Sequence, residues 1–419
     1  FLAAAFTMAF SLPLGRGFMA LALVLLVVRY FKEKKPLVMP LTAWMAVLFA
    51  LAAIASTAVG VNPGLGFQKM HKLMWFMAIP LAATVITSYR HLSAVLAAYA
   101  IGGGVLSVMT LIQVPVRTVA AFLTDKTMGF DDAVHVLWTA PQGQWQVAME
   151  AARAGKTTDL VSCLVATGSM TDAQRLMAGI MIALGLVFVC RADGRPTGKW
   201  WVLVILQCVA LLLNFKRGSW ICAFAMVSVF IGMRTTWRHA VAFLALVVAI
   251  AILPPFRDRV TDLRFELQAG RGGRLLMWTK IGPALVREHP WLGIGYRSLT
   301  NKMMKKIDRA VEKGRNHLHS NILQILVETG IIGCSVYLLW MILALRDVVR
   351  FVYRTRAGPA VEGIQALSIL LVLAALIANG VVEYNFGDAE VVLIYGLAMG
   401  CAAAGCLRLA PAPASRAAV

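Results

Sequence analysis

The recurring apolar segments of this chain constrain its fold more than any other feature. They run to about 17–25 residues and are long enough to cross the hydrocarbon core of a bilayer as helices. Of the 419 residues, 60% are hydrophobic and only 14% are charged, whereas soluble domains are usually about one quarter charged. Backbone polar groups in lipid need partners within the protein, and the segments lack the alternation of barrel strands. The sequence therefore predicts an all-α integral membrane protein.

Charged residues between the apolar segments predict the topology. Basic clusters in short loops are typical of the cytoplasmic side of a membrane, and one such cluster lies at 32–35. Twelve spans with both termini in the cytoplasm agree with this rule, and Pro13 is expected to end the first span. The predicted spans are 2–14, 18–30, 41–59, 73–87, 92–114, 176–190, 200–215, 221–233, 240–254, 322–345, 364–382 and 391–409.

These spans divide the chain into parts with different roles. An outward-facing segment is expected near 115–172, and within it 129–154 is expected to lie along the membrane surface or to act as a lid. The parts are 1–254 with the first nine transmembrane helices, 255–320 as a large outer loop, 321–409 with the last three helices, and 410–419 as a disordered tail.

The large outer loop is strongly basic. Residues 257–315 contain fourteen Lys/Arg and six Asp/Glu, and the whole chain has a formal net charge of +20. Loops longer than about 60 residues are largely exempt from the positive-inside rule, so this charge is compatible with an outer location. The basic residues either contact anionic lipid headgroups or form a pocket for a substrate that carries phosphate.

Two short basic motifs are candidates for binding phosphate. The sequence NFKRGSW places Lys216 and Arg217 at the start of a predicted helix, where backbone N–H groups favour an anion. Contact with lipid headgroups explains this position equally well. The sequence GRGGR places Arg271 and Arg274 ahead of a helical pattern. Its glycines allow the backbone to approach an anion, and a guanidinium matches the geometry of phosphate oxygens.

Two histidines lie where the basic loop meets an apolar helix. His317 and His319 are two residues apart, so on a helix they face different directions and form a poor metal pair. A neutral histidine at this position is a candidate general base near pH 7. In the alternative interpretation both rings are interfacial, and Ser320 or Asn321 starts the helix.

Acidic residues cluster in the last outer hairpin, EYNFGDAE. Glu383, Asp388 and Glu390 lie at a membrane boundary, where ionisable residues are candidates for function. They are expected to orient a histidine, to pair with arginines or to hold a cation, and pairing with arginines is favoured. The seven cysteines are scattered and form no ligand pattern, so we predict neither a metal nor another cofactor.

The order of these motifs resembles that of the O-antigen ligase family. The motifs are KRGSW, GRLLMW, HPWLGIGY, HLHSNILQILVETGIIG and EYNFGDAE, and they extend over 216–390. The related O-antigen polymerases and protein O-oligosaccharyltransferases share this pattern. The family's histidine falls on His319, where the family often continues with Asn and Asp but this chain has Ser320 and Asn321.

This resemblance implies a fold, an activity and a set of site residues. It implies a GT-C-type glycosyltransferase of the bacterial inner membrane that moves polysaccharide from undecaprenyl pyrophosphate to the lipid A-core, with inversion and without a metal. The site then faces the periplasm, and the protein is expected to be a monomer that binds membrane lipids and no nucleic acid. The implied catalytic residues are His319, Arg217 and Arg274, and the substrate-binding residues are Lys216, Arg271, His317, Asn321, Glu383 and Asp388.

Two other functions remain open at this point. A polymerase or a protein glycosyltransferase of the same superfamily uses the same type of donor with a different acceptor. A transporter of lipid-linked sugars belongs to another class, and it is expected to have polar residues through the membrane midplane and repeated halves. This chain concentrates its polar groups at one outer face, which favours the enzyme.

Overall fold

The structure is a computed structural model that describes residues 1–34, 36–124, 170–214, 216–253, 257, 273–311 and 316–409, and every regular element in these ranges is helical. The predicted surface segment 129–154, Arg271 and the tail 410–419 lie outside the described residues. The helices are α1 (Leu2–Met8), α2 (Leu12–Glu33), α3 (Leu41–Val59), α4 (Pro63–Lys69), α5 (Ala78–Val85), α6 (Tyr89–Thr124), α7 (Met170–Ala192), α8 (Gly198–Leu213), α9 (Arg217–Arg234), α10 (Trp237–Ile252), α11 (Arg274–Leu276), α12 (Gly282–Glu288), α13 (Asn301–Ile307), α14 (Asn321–Arg354), α15 (Ala360–Val382) and α16 (Ala389–Leu407).

Seven helices in the described part of the chain are long and apolar enough to cross a membrane, namely α2, α3, α6, α7, α14, α15 and α16. Two more, α8 and α10, are apolar but shorter. The all-helical fold is thus confirmed for these residues, and the apolar helices are consistent with an integral membrane protein. The count of twelve spans and the GT-C class stay predictions.

Two predicted spans are divided in the structure. The segment 2–14 forms the seven-residue α1 and the start of α2, and Pro13 lies in the first turn of α2 instead of ending a segment. Proline fits this position because the first N–H groups of a helix have no partner within it. The segment 73–87 contains the end of a 3₁₀ helix, Met70–Met77, followed by the eight-residue α5.

The helix α7 lies at the centre of the bundle. All of its apolar span is buried, and it packs against α6, α8, α9 and α15. The last three helices, α14, α15 and α16, pack on one another, and α14 also packs on α3. These contacts bring the start of α14 close to the hairpin that joins α15 to α16.

A break in α14 receives the loop 289–296, whose sequence is HPWLGIGY. Gly330 has φ 64° and ψ −170°, outside the helical region. Backbone groups freed at the break find partners in the loop, as buried polar groups must. The hydrogen bonds run from Ile294 N to Val327 O (3.0 Å), from Gly295 N to Glu328 O (3.0 Å), from Ile331 N to Pro290 O (2.8 Å) and from Ile332 N to Trp291 O (3.3 Å).

We predict that Gly330→Ala destabilises the protein much more than Gly194→Ala. Both glycines have positive φ, 64° and 67°, which costs an alanine about 1–2 kcal/mol. A Cβ at Gly330 would also lie 2.2 Å from Trp291 O, whereas a Cβ at Gly194 would have nothing within 4 Å. Thermal unfolding of the purified protein in detergent measures the two losses. Equal shifts in Tm would show that the loop does not fill the break.

Candidate functional site

Glu383 joins two residues that are far apart in the sequence. Its Oε1 accepts a hydrogen bond from Arg274 Nη2, and its Oε2 lies 3.1 Å from His319 Nδ1. Arg274 is the first residue of α11, His319 lies two residues before α14, and Glu383 directly follows α15. Three helix ends thus bring a guanidinium, a carboxylate and an imidazole together. We call these three residues the Arg–Glu–His cluster.

Glu383 is held as a carboxylate in this cluster. Its side chain is 4% exposed, and those of Arg274 and His319 are 21% and 12% exposed. Burial raises the pKa of Glu383, but the hydrogen bond with His319 and the charge of Arg274 outweigh burial, so the pKa lies below its ordinary value. The carboxylate favours the tautomer of a neutral His319 in which Nδ1 carries the proton.

The backbone of His319 adopts an uncommon conformation. Its φ is 50°, in the left-handed region, which costs a residue other than glycine roughly 1–3 kcal/mol. Ser320 follows as the N-cap of α14 and accepts a hydrogen bond from Leu323 N at 3.5 Å, which confirms the predicted helix start. The rings of His317 and His319 have centroids 4.3 Å apart, so both imidazoles belong to this site.

Asn321 ties the start of α14 to the hairpin that carries Glu383. Its Oδ1 accepts hydrogen bonds from the backbone N–H groups of Asn385 and Phe386, at 2.9 and 3.0 Å. Its Nδ2 donates to Asn385 Oδ1 at 2.6 Å. Asn321 is only 1% exposed. The structure thus shows Asn321 as a link between the two halves of the site, while a direct contact with substrate stays a prediction.

Phe386 anchors the same hairpin in the core. Aromatic pairs at such separations contribute about 0.5–1.5 kcal/mol each beyond the area that they bury. The hairpin that presents Glu383 is therefore fixed by packing as well as by hydrogen bonds. The ring centroid of Phe386 lies 5.0 Å from that of Tyr337, 5.4 Å from Phe76, 5.5 Å from Tyr395, 5.6 Å from Trp340 and 5.9 Å from Phe49.

The KRGSW turn packs on the end of α15. Lys216 is the N-cap of α9 and is 7% exposed, and Arg217 is the first residue of that helix. A Cβ built on Gly218 would lie 3.1 Å from Asn379 Nδ2 and 4.0 Å from Glu383 Cγ. The first turn of α9, which includes Arg217, therefore lies against the Arg–Glu–His cluster.

Asp388 and Glu390 lie at the start of α16. Glu390 Oε1 is 3.8 Å from Arg175 Nη2, so the favoured pairing of acids with arginines is observed for Glu390 and for Glu383. Burial and the charge of Glu390 raise the pKa of Asp388 to about 6. In the described part of the chain, no group of three or more His, Cys, Asp or Glu side chains is placed to hold a metal ion.

Arg175, Arg297 and Tyr384 are not among the predicted site residues, although Tyr384 lies within the EYNFGDAE motif; all three lie at this end of the bundle. Arg297 Nη1 donates to Gly387 O, and its guanidinium carbon lies 5.7 Å from the ring centroid of Tyr384. The ring centroid of Tyr384 is in turn 6.3 Å from that of His317. Arg297 directly follows the HPWLGIGY motif, and this position is the feature of the sequence that could have identified it. Its contacts depend on how the loop folds back onto the last hairpin.

Comparison with known families agrees with these motifs. A family model described as O-antigen ligase matches residues 202–338, which include the KRGSW turn, Arg274, the loop 289–296 and His319. The resemblance indicated by the motifs is thereby confirmed. No curated protein matches the chain. Together with the apolar helices, the match supports a multi-pass membrane protein of the O-antigen ligase and polymerase type.

We predict that Asp388→Asn stabilises the protein above pH 6 but not below about pH 4. The pKa of Asp388 rises from 3.8 to about 6 on folding, so between these values the folded state binds a proton that the unfolded state releases. Stability attributable to this group is therefore lost as pH rises through this window. Asp388 makes no side-chain capping hydrogen bond that asparagine would remove.

Differential scanning fluorimetry in detergent from about pH 4 to pH 8 measures this effect. The Tm advantage of Asp388→Asn over wild type should grow up to about pH 6 and then stay constant, because above that pH Asp388 is ionised in both the folded and the unfolded state. An advantage of the same size at every pH would contradict the raised pKa.

Proposed function

We propose that the protein is an O-antigen ligase that transfers polysaccharide from undecaprenyl pyrophosphate to a sugar hydroxyl of the lipid A-core, at the periplasmic face of the bacterial inner membrane. The observation that carries this proposal is the Arg–Glu–His cluster, in which Glu383 contacts residues 109 and 64 positions away in the sequence. The O-antigen ligase match includes two of its three members, Arg274 and His319.

In this proposal arginines bind the leaving diphosphate. Cleavage of the bond between C1 of the donor sugar and the phosphate oxygen leaves an additional negative charge on undecaprenyl pyrophosphate. Arg274 in the cluster and Arg217 at the start of α9 supply positive charge, with Lys216 and Arg271 in support. The N-terminus of α9 adds backbone N–H groups. Groups fixed in place before the reaction stabilise developing charge without reorganisation. In this proposal they stabilise the negative charge of the leaving diphosphate, a role that a divalent cation has in other enzymes.

His319 is the proposed general base. Its Nδ1 is paired with Glu383 Oε2, so Nε2 is the ring nitrogen that takes the proton of the acceptor hydroxyl. The acceptor oxygen bonds to C1 as the C1–O bond to pyrophosphate breaks, and the electron pair leaves on the phosphate oxygen. Glu383 stabilises the imidazolium that forms. One displacement of this kind inverts the anomeric centre.

The acceptor distinguishes this function from its nearest alternatives. O-antigen polymerases and protein O-oligosaccharyltransferases share the family pattern, and the donor side of the site fits all three activities. A transporter of lipid-linked sugars is a candidate from another class. The clustering of base, carboxylate and guanidinium at one end of the helices favours an enzyme over a transporter.

We predict that the purified protein releases undecaprenyl pyrophosphate from a lipid-linked polysaccharide only when lipid A-core is supplied. His319→Ala should lower the rate by about 10²–10⁴-fold, the usual contribution of a general base, while still folding and binding donor. Mass spectrometry of the lipid product and gel analysis of the glycan measure the reaction. Excess chelator should leave the rate unchanged.

Other outcomes of this assay would identify the alternatives. Joining of repeat units without use of lipid A-core would identify a polymerase, and movement of intact donor across a vesicle without release of the lipid would identify a transporter. Near-normal turnover by His319→Ala would remove this residue from the mechanism.

We predict that Arg274→Ala changes both the rate and the pH dependence of transfer. Arg217→Ala and Arg274→Ala should each slow transfer by about 10²–10³-fold, as loss of one charge-stabilising donor does. Arg274 donates a hydrogen bond to Glu383 Oε1, and its charge lowers the pKa of that carboxylate. Arg274→Ala should therefore also move the acid limb of the pH–rate profile to higher pH.

The matched control is Arg287→Ala, because Arg287 is an exposed arginine of the same basic loop. It should keep the wild-type rate and pH profile. If Arg287→Ala lost as much activity as Arg217→Ala and Arg274→Ala, the protein would depend on positive charge in general and not on a specific site for the diphosphate.

A further inference from the structure

Leu318, the residue between the two histidines, is fixed at both of its backbone polar groups. Its N–H donates to Gln324 Oε1 at 2.7 Å, and its C=O accepts from Trp278 Nε1 at 2.8 Å. Its side chain is fully buried in a small apolar cluster with Met277 and Ile281. Each of the two peptide groups that flank Leu318 is therefore held by a hydrogen bond, and the side chain between them is held by packing.

His319 needs such support because its own backbone is strained. A residue other than glycine at φ 50° keeps this conformation only when its surroundings over-determine it. On the C-terminal side, Ser320 begins α14 as its N-cap. On the N-terminal side, the support comes from Trp278 and Gln324 through Leu318. The direction of the imidazole toward Glu383 follows from this backbone.

Gln324 is itself fixed by its neighbours. It is fully buried, and its Nε2 donates to Glu328 Oε1 at 2.6 Å one helical turn further along α14. The backbone C=O of Glu328 accepts hydrogen bonds from Ser56 Oγ at 2.6 Å and from Gly295 N at 3.0 Å. A chain of hydrogen bonds thus connects α3 and the loop 289–296 to the peptide before His319.

Trp278 belongs to the helical segment that also supplies Arg274. A π-helical turn, Met277–Ile281, directly follows α11 and contains Trp278. Such turns occur frequently at functional sites because they redirect side chains within a helix. One short segment therefore contacts the site twice, through Arg274 at Glu383 and through Trp278 at the backbone next to His319.

We propose that Trp278 and Gln324 are positioning residues that hold His319 in the orientation needed to accept the acceptor proton. This inference rests on the proposed role of His319 as the base. Neither residue needs to touch substrate, because both act through the backbone of Leu318. Their loss should lower kcat and leave KM for donor and acceptor nearly unchanged.

The test removes one hydrogen bond at a time. Trp278→Phe keeps an aromatic ring without the Nε1 donor, and Gln324→Met keeps the side-chain length without the Oε1 acceptor. Each should lower kcat by about tenfold, since small misplacement of a catalytic group is costly, with each KM within about twofold of wild type.

Two buried residues elsewhere provide matched controls. Trp200→Phe alters a buried tryptophan whose Nε1 has no hydrogen-bond partner among the described residues. Gln365→Met deletes a buried amide that donates to Ser93 Oγ, a residue near the start of α6. Both controls should keep wild-type kcat. If kcat fell as much in the controls as in Trp278→Phe and Gln324→Met, the losses would reflect general destabilisation, and the proposal would be wrong.

A readout without turnover separates this inference from the proposed function. Modification of His317 and His319 by diethyl pyrocarbonate, followed by mass spectrometry, reports how well the segment is held. Trp278→Phe and Gln324→Met should increase the rate of modification of His319 several-fold, whether or not the protein is a ligase. Wild-type labelling together with wild-type kcat in both variants would overturn the positioning role. Absence of transfer by wild type, with faster labelling in the variants, would instead reject only the proposed function.

Discussion

The site depends on one buried carboxylate with two partners. Glu383 is almost inaccessible to water, and burial of an ionised carboxylate is costly unless hydrogen bonds and opposite charge compensate for it. Arg274 and His319 provide that compensation, one at each carboxylate oxygen. The positions of Arg274 and His319 are therefore fixed only while the rest of the fold holds Glu383 between these two residues.

That requirement explains why so many features converge on the hairpin after α15. Asn321 binds its backbone, Phe386 fills an aromatic core beneath it, and the first turn of α9 packs beside it at Gly218. The break at Gly330 admits the loop 289–296, whose Gly295 contacts the same turn of α14 that fixes Gln324. Packing and hydrogen bonds thus hold three helix ends in one arrangement.

The sequence predicts the components of the site better than their contacts. Apolar length predicts membrane helices, and charge and motif order indicate Arg217, Arg274, His319 and the acidic hairpin. The pairing of Glu383 with His319 was only one of three open roles, because a spacing of 64 residues does not fix a contact. Trp278 and Gln324 lie within the motifs GRLLMW and HLHSNILQILVETGIIG, but neither is among the predicted site residues, since a tryptophan and a glutamine at such positions commonly serve packing or solubility. Pro13 was misplaced because proline both ends and begins helices.

The proposed reaction explains why a carboxylate belongs in a site that is proposed to bind a diphosphate. With His319 neutral, the charges of Arg274 and Glu383 nearly cancel, so in the proposed mechanism the ground-state donor gains little from this pair. In the proposed reaction the acceptor proton moves to His319, and the cluster gains one positive charge as the diphosphate gains negative charge. In a partly buried site such charges interact more strongly than in water. The cluster then stabilises the transition state more than the bound donor, as catalysis requires.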